Sequence, residues 1–195
     1  MAGIDRYGSH AAILDAHTKD LMEVLRTGEY HSWAGGSSAT LALVADTLYA
    51  VPIVIARDIT VDRIAVDVTA QAGQAFRLGI YNNGTNLYPG TLLLDAGAIT
   101  LTGTGVQAIT ISPAQALAKG IYHLVVVSDG TPTLKAYNSV IRSPDILGVD
   151  ATSLGYWRNW TVAFTYAALP DPFTAGGVLA GNYRIIIALR VASLA

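Results

Sequence analysis

The chain has 195 residues, a formal net charge of −2 and a mean hydropathy of +0.42, with 52% of residues hydrophobic and 13% charged. An average soluble domain carries about 25% charged residues, so low charge here accompanies high apolar content. The apolar runs fall short of the roughly 18–20 residues of a spanning helix, the hydropathy excludes a disordered composition, and a pI near 6.0 leaves no basic footprint for nucleic acid.

The chain contains no cysteine, which removes disulfides, thiolate zinc sites and cysteine nucleophiles. Asp5 and Arg6 open it and no apolar core of a signal peptide follows, so no secretory leader is expected. Eight charged residues fall within the first 30 positions (Asp5, Arg6, Asp15, Lys19, Asp20, Glu23, Arg26, Glu29), and 18 in the other 165.

This first stretch reads as an amphipathic helix. Ser9 suits an N-cap and Gly28 a stop. Leu14, His17, Leu21 and Val24 recur at spacings of three and four. Tyr7, Leu14 and Leu21 share one heptad position, and His10, His17 and Val24 share another. Two heptads are too few for an isolated coiled coil. The helix therefore calls for a partner, either copies of itself or another protein. Tyr7, Leu14, His17, Leu21 and Val24 are the candidate docking or oligomerisation residues.

The composition turns flexible at Ala34-Gly35-Gly36-Ser37-Ser38. From Leu41 the apolar period becomes two. It is carried by Val51/Ile53/Ile55, Ile64/Val66/Val68, Phe76/Leu78/Ile80, Ile109/Ile111, Tyr122/Leu124/Val126, Trp160/Val162/Phe164/Tyr166 and Tyr183/Ile185/Ile187/Leu189. Turn clusters separate these runs, among them Asn82-Asn83-Gly84, Tyr88-Pro89-Gly90 and Thr102-Gly103-Thr104-Gly105. The stretch from Ser139 to Leu154 reads as a long connection. Many short strands with frequent turns predict a mainly β fold, an antiparallel jelly-roll-like sandwich preceded by a short helical arm. The expected division is residues 1–34 as arm, 35–40 as Gly/Ser linker and 41–195 as sandwich.

Three strands, Val51–Ala56, Ile121–Val127 and Ile185–Leu189, are apolar on both faces. A sheet with one solvated face does not look like that. The second face must be covered within the domain or by another subunit.

Four quoted stretches carry a family resemblance: Arg57-Asp58-Ile59-Thr60-Val61-Asp62-Arg63-Ile64, Phe76-Arg77-Leu78-Gly79-Ile80-Tyr81, Tyr88-Pro89-Gly90-Thr91-Leu92-Leu93-Leu94-Asp95-Ala96-Gly97 and Gly120-Ile121-Tyr122-His123-Leu124-Val125-Val126-Val127. Over roughly 80 of 195 residues, about Leu48 to Val127, the chain resembles a module of bacteriophage virion proteins found in tail-fibre, minor tail and head-decoration proteins. The resemblance implies a jelly-roll sandwich, a homotrimer, contacts with other virion proteins through the N-terminal arm, and location in the virion. It implies a structural role in a tail fibre, tail tip or adaptor, with capsid decoration (cement) or head fibre as the alternative. Its motifs are folding features: Pro89-Gly90 suits a tight turn, and Gly79 within a strand marks a bulge or a close backbone approach.

Candidate chemistry is sparse. There is no G-x-S-x-G elbow, and Thr102–Gly105 lacks the lysine of a phosphate loop. Asp58, Asp62 and Asp67 read as strand-edge charges, and His123 as a packing residue within an apolar strand. His10, His17 and His31 are spaced by multiples of seven, but a polar patch explains them better than a metal layer. No catalytic residue, metal or cofactor is expected, nor nucleic-acid binding or membrane insertion. For ligand binding the aromatic and amide residues Tyr81, Asn82, Asn83, Tyr88, Tyr156 and Trp157 form the candidate surface for a host glycan, and a free carbohydrate-binding module is a further alternative. The same aromatic types equally fill cores and interfaces.

Overall fold

The computed structural model describes residues 25–32, 37–138, 146–147, 158–181 and 183–194. Of the expected arm, residues 1–24, with Tyr7, Leu14, His17, Leu21 and Val24, and residues 33–34 lie outside them, whereas residues 25–32 are described and hold a strand, Tyr30–His31, paired with Leu189–Arg190. Tyr156, Trp157 and most of the long connection lie outside as well. No helix of the described residues is long and apolar enough to cross a membrane.

The described chain is mainly β. Its strands are β1 (Tyr30–His31), β2 (Ser37–Ala42), β3 (Thr47–Ile55), β4 (Ile59–Ala70), β5 (Ala75–Asn83), β6 (Pro89–Thr100) and β7 (Gly105–Leu117). Then follow β8 (Gly120–Ser128), β9 (Thr133–Asn138), β10 (Asn159–Ala163), β11 (Val178–Ala180), β12 (Tyr183–Ile185) and β13 (Ile187–Leu194). They form two antiparallel sheets. The six-stranded sheet has the order β11-β10-β3-β8-β5-β6. The seven-stranded sheet runs β1-β13-β4-β9-β12, with β2 on β9 and β7 on β4.

Period-two patterning explains the core between them. Val51 and Ile53 from β3, Phe76, Leu78 and Ile80 from β5, and Leu124 and Val126 from β8 meet Ile64, Val66 and Val68 from β4 and Ile185, Ile187 and Leu189 from β12 and β13. All are buried. Each alternating series thus faces one shared interior, as a half-buried strand requires.

Several local readings shift. Ser37–Thr40, read from composition as linker, is part of β2 and pairs with Lys135–Asn138. Thr102–Gly105, read as a turn between neighbouring strands, joins two different sheets, because β6 belongs to the six-stranded sheet and β7 to the seven-stranded one. The chain crosses between layers there. The turn expected at Tyr88-Pro89-Gly90 sits earlier, as a short 3-10 turn at Thr85–Leu87, and Pro89-Gly90 opens β6. Gly90 is needed for close approach: a Cβ there would lie 3.2 Å from the Asn82 carbonyl oxygen and 3.3 Å from Gly84 Cα. The alternation read through Tyr166 holds as strand only to Ala163.

The doubly apolar strands β3 and β8 find their second cover inside the chain. Leu48, Ala50, Tyr81, Val125 and Val127 on the far face of the six-stranded sheet form a second core with Leu169 and Phe173. After β10 the chain becomes a strap, residues 164–177, laid over that face, with Phe164 and Tyr166 packed against the same cluster.

Candidate functional site

The strap and the surface it covers bring together two residues that sequence reading singled out, Tyr81 and Tyr88, with three carboxylates that it did not, Asp46, Asp95 and Asp171. Its first end is held by Asp46, whose carbonyl accepts from Phe164 N–H at 2.8 Å and whose Oδ1 accepts from Tyr166 N–H at 2.7 Å. Asp46 itself has φ 56°, a left-handed conformation that Asp tolerates better than most residues. Asp95 holds the middle. Its Oδ2 accepts from Leu169 N–H at 3.1 Å and its Oδ1 from Gly97 N–H at 2.9 Å, while Arg77 Nη1 donates to both oxygens at 2.9 and 2.8 Å. Further on, Asp171 Oδ1 accepts from Leu92 N–H at 2.9 Å, and Phe173 N–H donates to the Gly90 carbonyl at 2.9 Å.

Tyr81 is fully buried beneath the strap. Its hydroxyl donates to the Pro170 carbonyl at 2.6 Å, and its ring meets Phe173 edge-on at 5.3 Å. Burial raises the phenol pKa well above its ordinary value, and the nearby Asp95 and Asp171 carboxylates push it the same way. The group stays a protonated donor. Tyr88, half-buried, donates to the Thr174 carbonyl at 2.6 Å and accepts from Gly177 N–H at 2.8 Å. Its ring packs edge-on against Trp160 at 4.9 Å and Phe173 at 5.6 Å. Trp160 Nε1 donates to the Leu87 carbonyl at 2.7 Å. Aromatic rings whose polar ends all find partners are anchors of a packed layer. The structure therefore places Tyr81 and Tyr88 in packing, whereas the sequence offered them as an exposed sugar platform.

The amides divide. Asn82 Nδ2 donates to Thr91 Oγ1 at 2.9 Å on the surface. Asn83 is exposed at the strand end, and its Oδ1 lies 3.1 Å from His123 Nε2. His123 is fully buried, and its Nδ1 has no hydrogen-bond partner among the described residues. Protonating that nitrogen would place an unsolvated cation in the interior. Burial accordingly pushes the His123 pKa down to about 4. The imidazole is neutral and donates to Asn83. Beside this pair the turn is tightly set: Asn86 and Leu87 have φ 53° and 57°, and Gly84 N–H donates to the Tyr88 carbonyl at 2.7 Å.

Asn159, near in sequence to the candidate aromatics, is buried and joins the two sheets. Its Nδ2 donates to the Tyr183 carbonyl at 2.7 Å, and its Oδ1 accepts from Ile185 N–H at 3.2 Å. Sequence reading missed this role, as it missed the strap anchors Asp46, Asp95 and Asp171. No local sequence pattern marks a residue that bonds a separate segment, 24 and 26 positions away for Asn159 and 74 to 120 positions away for the strap anchors.

The carboxylates weighed as a dyad are dispersed. Asp58 Oδ1 accepts from Lys119 N–H at 2.7 Å. Asp67 pairs with Lys135 at 2.6 Å. Asp62 is gripped by Arg190, whose Nε donates to Oδ1 at 2.8 Å and whose second guanidinium nitrogen donates to Oδ2. These hydrogen bonds hold the Asp62 carboxyl below the usual range. Among the described residues no group of three or more His, Cys, Asp or Glu side chains could hold a metal ion.

Two of the shallow depressions on the surface of the described residues stand out. One, about 320 Å³, lies between Leu41, Val44, Tyr49, Asn159, Thr161 and Ala180. The other, about 160 Å³, lies on the outer face of the seven-stranded sheet. Neither sets a nucleophile beside a base. What the fold and the covered face define is a two-layered antiparallel β fold with an internal strap. No family model, curated protein or solved structure matches the chain.

Proposed function

We propose that this chain is a non-enzymatic structural module of a bacteriophage virion, a jelly-roll-like β-sandwich in a homotrimeric tail-fibre, tail-tip or adaptor assembly, anchored through residues 1–34. The resemblance carried by the four stretches between Arg57 and Val127 supports the virion setting. The observation that carries the structural role is how the conspicuous side chains are used. Tyr81, Tyr88, Asp46, Asp95 and Asp171 all hold the strap against the six-stranded sheet. Side chains committed to fastening the chain to itself support a structural reading of this surface. Sedimentation of the full chain tests the assembly: a three-copy mass is expected, and a monomer at every concentration would overturn it. Antibody labelling of purified particles tests the setting, with label on the tail as the expected result and unlabelled particles as the contrary one.

A further inference from the structure

Asn83 ends β5 and Gly84 begins the turn into β6, and this is the only Asn-Gly pair in the sequence. At such a pair the backbone nitrogen of the glycine can attack the asparagine side chain, because glycine sets no side chain in the way. A bond forms between the Gly84 nitrogen and Asn83 Cγ, the Cγ–Nδ2 bond breaks, and ammonia leaves with the backbone amide proton. Water then opens the cyclic imide at either carbonyl, giving aspartate or isoaspartate.

The fold demands both members of this labile pair. A Cβ at position 84 would lie 2.8 Å from the Tyr88 carbonyl oxygen and 3.2 Å from Gly90 Cα, so the turn closes only on glycine. Asn83 Oδ1 accepts from Nε2 of the buried His123 at 3.1 Å. The same contacts keep the reacting atoms from meeting. The Gly84 N–H donates to the Tyr88 carbonyl at 2.7 Å, which keeps the proton on the nitrogen and aims it at Tyr88. Asn83 is held extended by its pairing with Pro89, and its side chain is held by His123. Tyr88 is in turn tied to the strap at Thr174 and Gly177 and packed on Trp160, whose Nε1 holds the Leu87 carbonyl. Opening the turn therefore means releasing that fastening.

We propose that Asn83 is a deamidation site that the folded turn holds closed, with His123 and the Tyr88 fastening as its two locks, so that conversion to aspartate and isoaspartate proceeds only when the turn opens. The two products differ in what they leave behind. Aspartate keeps an oxygen where His123 donates. Isoaspartate adds a carbon to the main chain and displaces the pairing of position 83 with Pro89. The site is independent of the virion reading, because it rests on the turn and its locks alone.

The full chain and a synthetic peptide of residues 78–90 are aged side by side in the same mildly alkaline buffer. Mass spectrometry of the Asn83 fragment follows the replacement of NH by oxygen, and chromatography separates aspartate from isoaspartate. The peptide is expected to convert, and the folded chain to convert at least about tenfold more slowly, since reaction waits on local opening. A peptide that does not convert would overturn the site, and equal rates would overturn the closed turn. His123→Phe and Tyr88→Phe, each checked for folding by circular dichroism, identify the locks. Each is expected to speed conversion in the folded chain about threefold or more, because a hydrogen bond that opposes opening is gone. Acceleration by one variant alone strikes the other residue as a lock, and an unchanged rate in both overturns the assignment of the locks. Where a variant does not fold, the comparison of parent chain and peptide decides.

Discussion

Gly79 lies directly beneath Leu169: a Cβ at position 79 would come 2.2 Å from Leu169 Cδ1 and 2.6 Å from the Leu94 carbonyl oxygen. The glycine in β5 is therefore where the strap touches the sheet backbone. The pairing of β5 with β6 also shifts register between Leu78 and Gly79, so bulge and close approach coincide. Gly79→Ala is expected to cost about 1–3 kcal/mol through overpacking. Leu169→Ala in the same chain should relieve only part of this, because the Leu94 carbonyl remains in the way. Urea unfolding of the two single variants and the double variant measures the coupling, and full additivity would contradict the contact.

Tyr81→Phe keeps the ring against Phe173 but removes the donor to the Pro170 carbonyl. A buried acceptor left without its partner costs about 1–3 kcal/mol. Phe173→Ala should cost more, about 3–5 kcal/mol, because it empties the space between Tyr81 and Tyr88. If Tyr81 instead served a ligand at the surface, Tyr81→Phe would leave the unfolding midpoint unchanged.

Asp95 joins Arg77, Gly97 and Leu169, and so connects β5, β6 and the strap. Asp95→Ala is expected to loosen the strap locally before the whole fold opens. Limited proteolysis should then cut first within residues 164–177, and binding of a dye specific for exposed apolar surface should rise. Cleavage that begins elsewhere at an unchanged rate would contradict this.

His123 gives stability a definite pH dependence. Its pKa is about 4 in the folded chain against about 6.5 when exposed. Between these values the unfolded chain binds a proton that the folded chain refuses, so stability rises with pH across the window. The contribution is complete above about pH 6.5 and is lost as pH falls toward 4, amounting to about 3 kcal/mol for this shift. His123→Phe should flatten that part of the curve. Denaturant unfolding from pH 4 to 7 tests it, and an identical slope in the variant would show that other groups are responsible.

Much of the fold was legible along the chain because alternation is local. The series Val51/Ile53/Ile55 and Phe76/Leu78/Ile80 each assign their side chains to one face, and those faces do meet in the shared core. Alternation also showed that Val125 and Val127 had a second apolar face to bury. It could not say what lies on that face. The cover comes from Leu169 and Phe173, more than 40 residues further on, in a stretch with no strand period. For the same reason Tyr81 and Tyr88 looked like surface aromatics: residues beside turns are exposed unless something distant crosses over them.

The sequence by itself determined a β fold with too little charge and with strands greasy on both sides, since both follow from composition and a two-residue period. Only the tertiary structure decided that β3 and β8 are covered by their own chain, and that the aromatic and acidic residues near the turns are the fastenings of that cover. Burial depends on contacts between distant segments, which a local pattern can require but cannot assign.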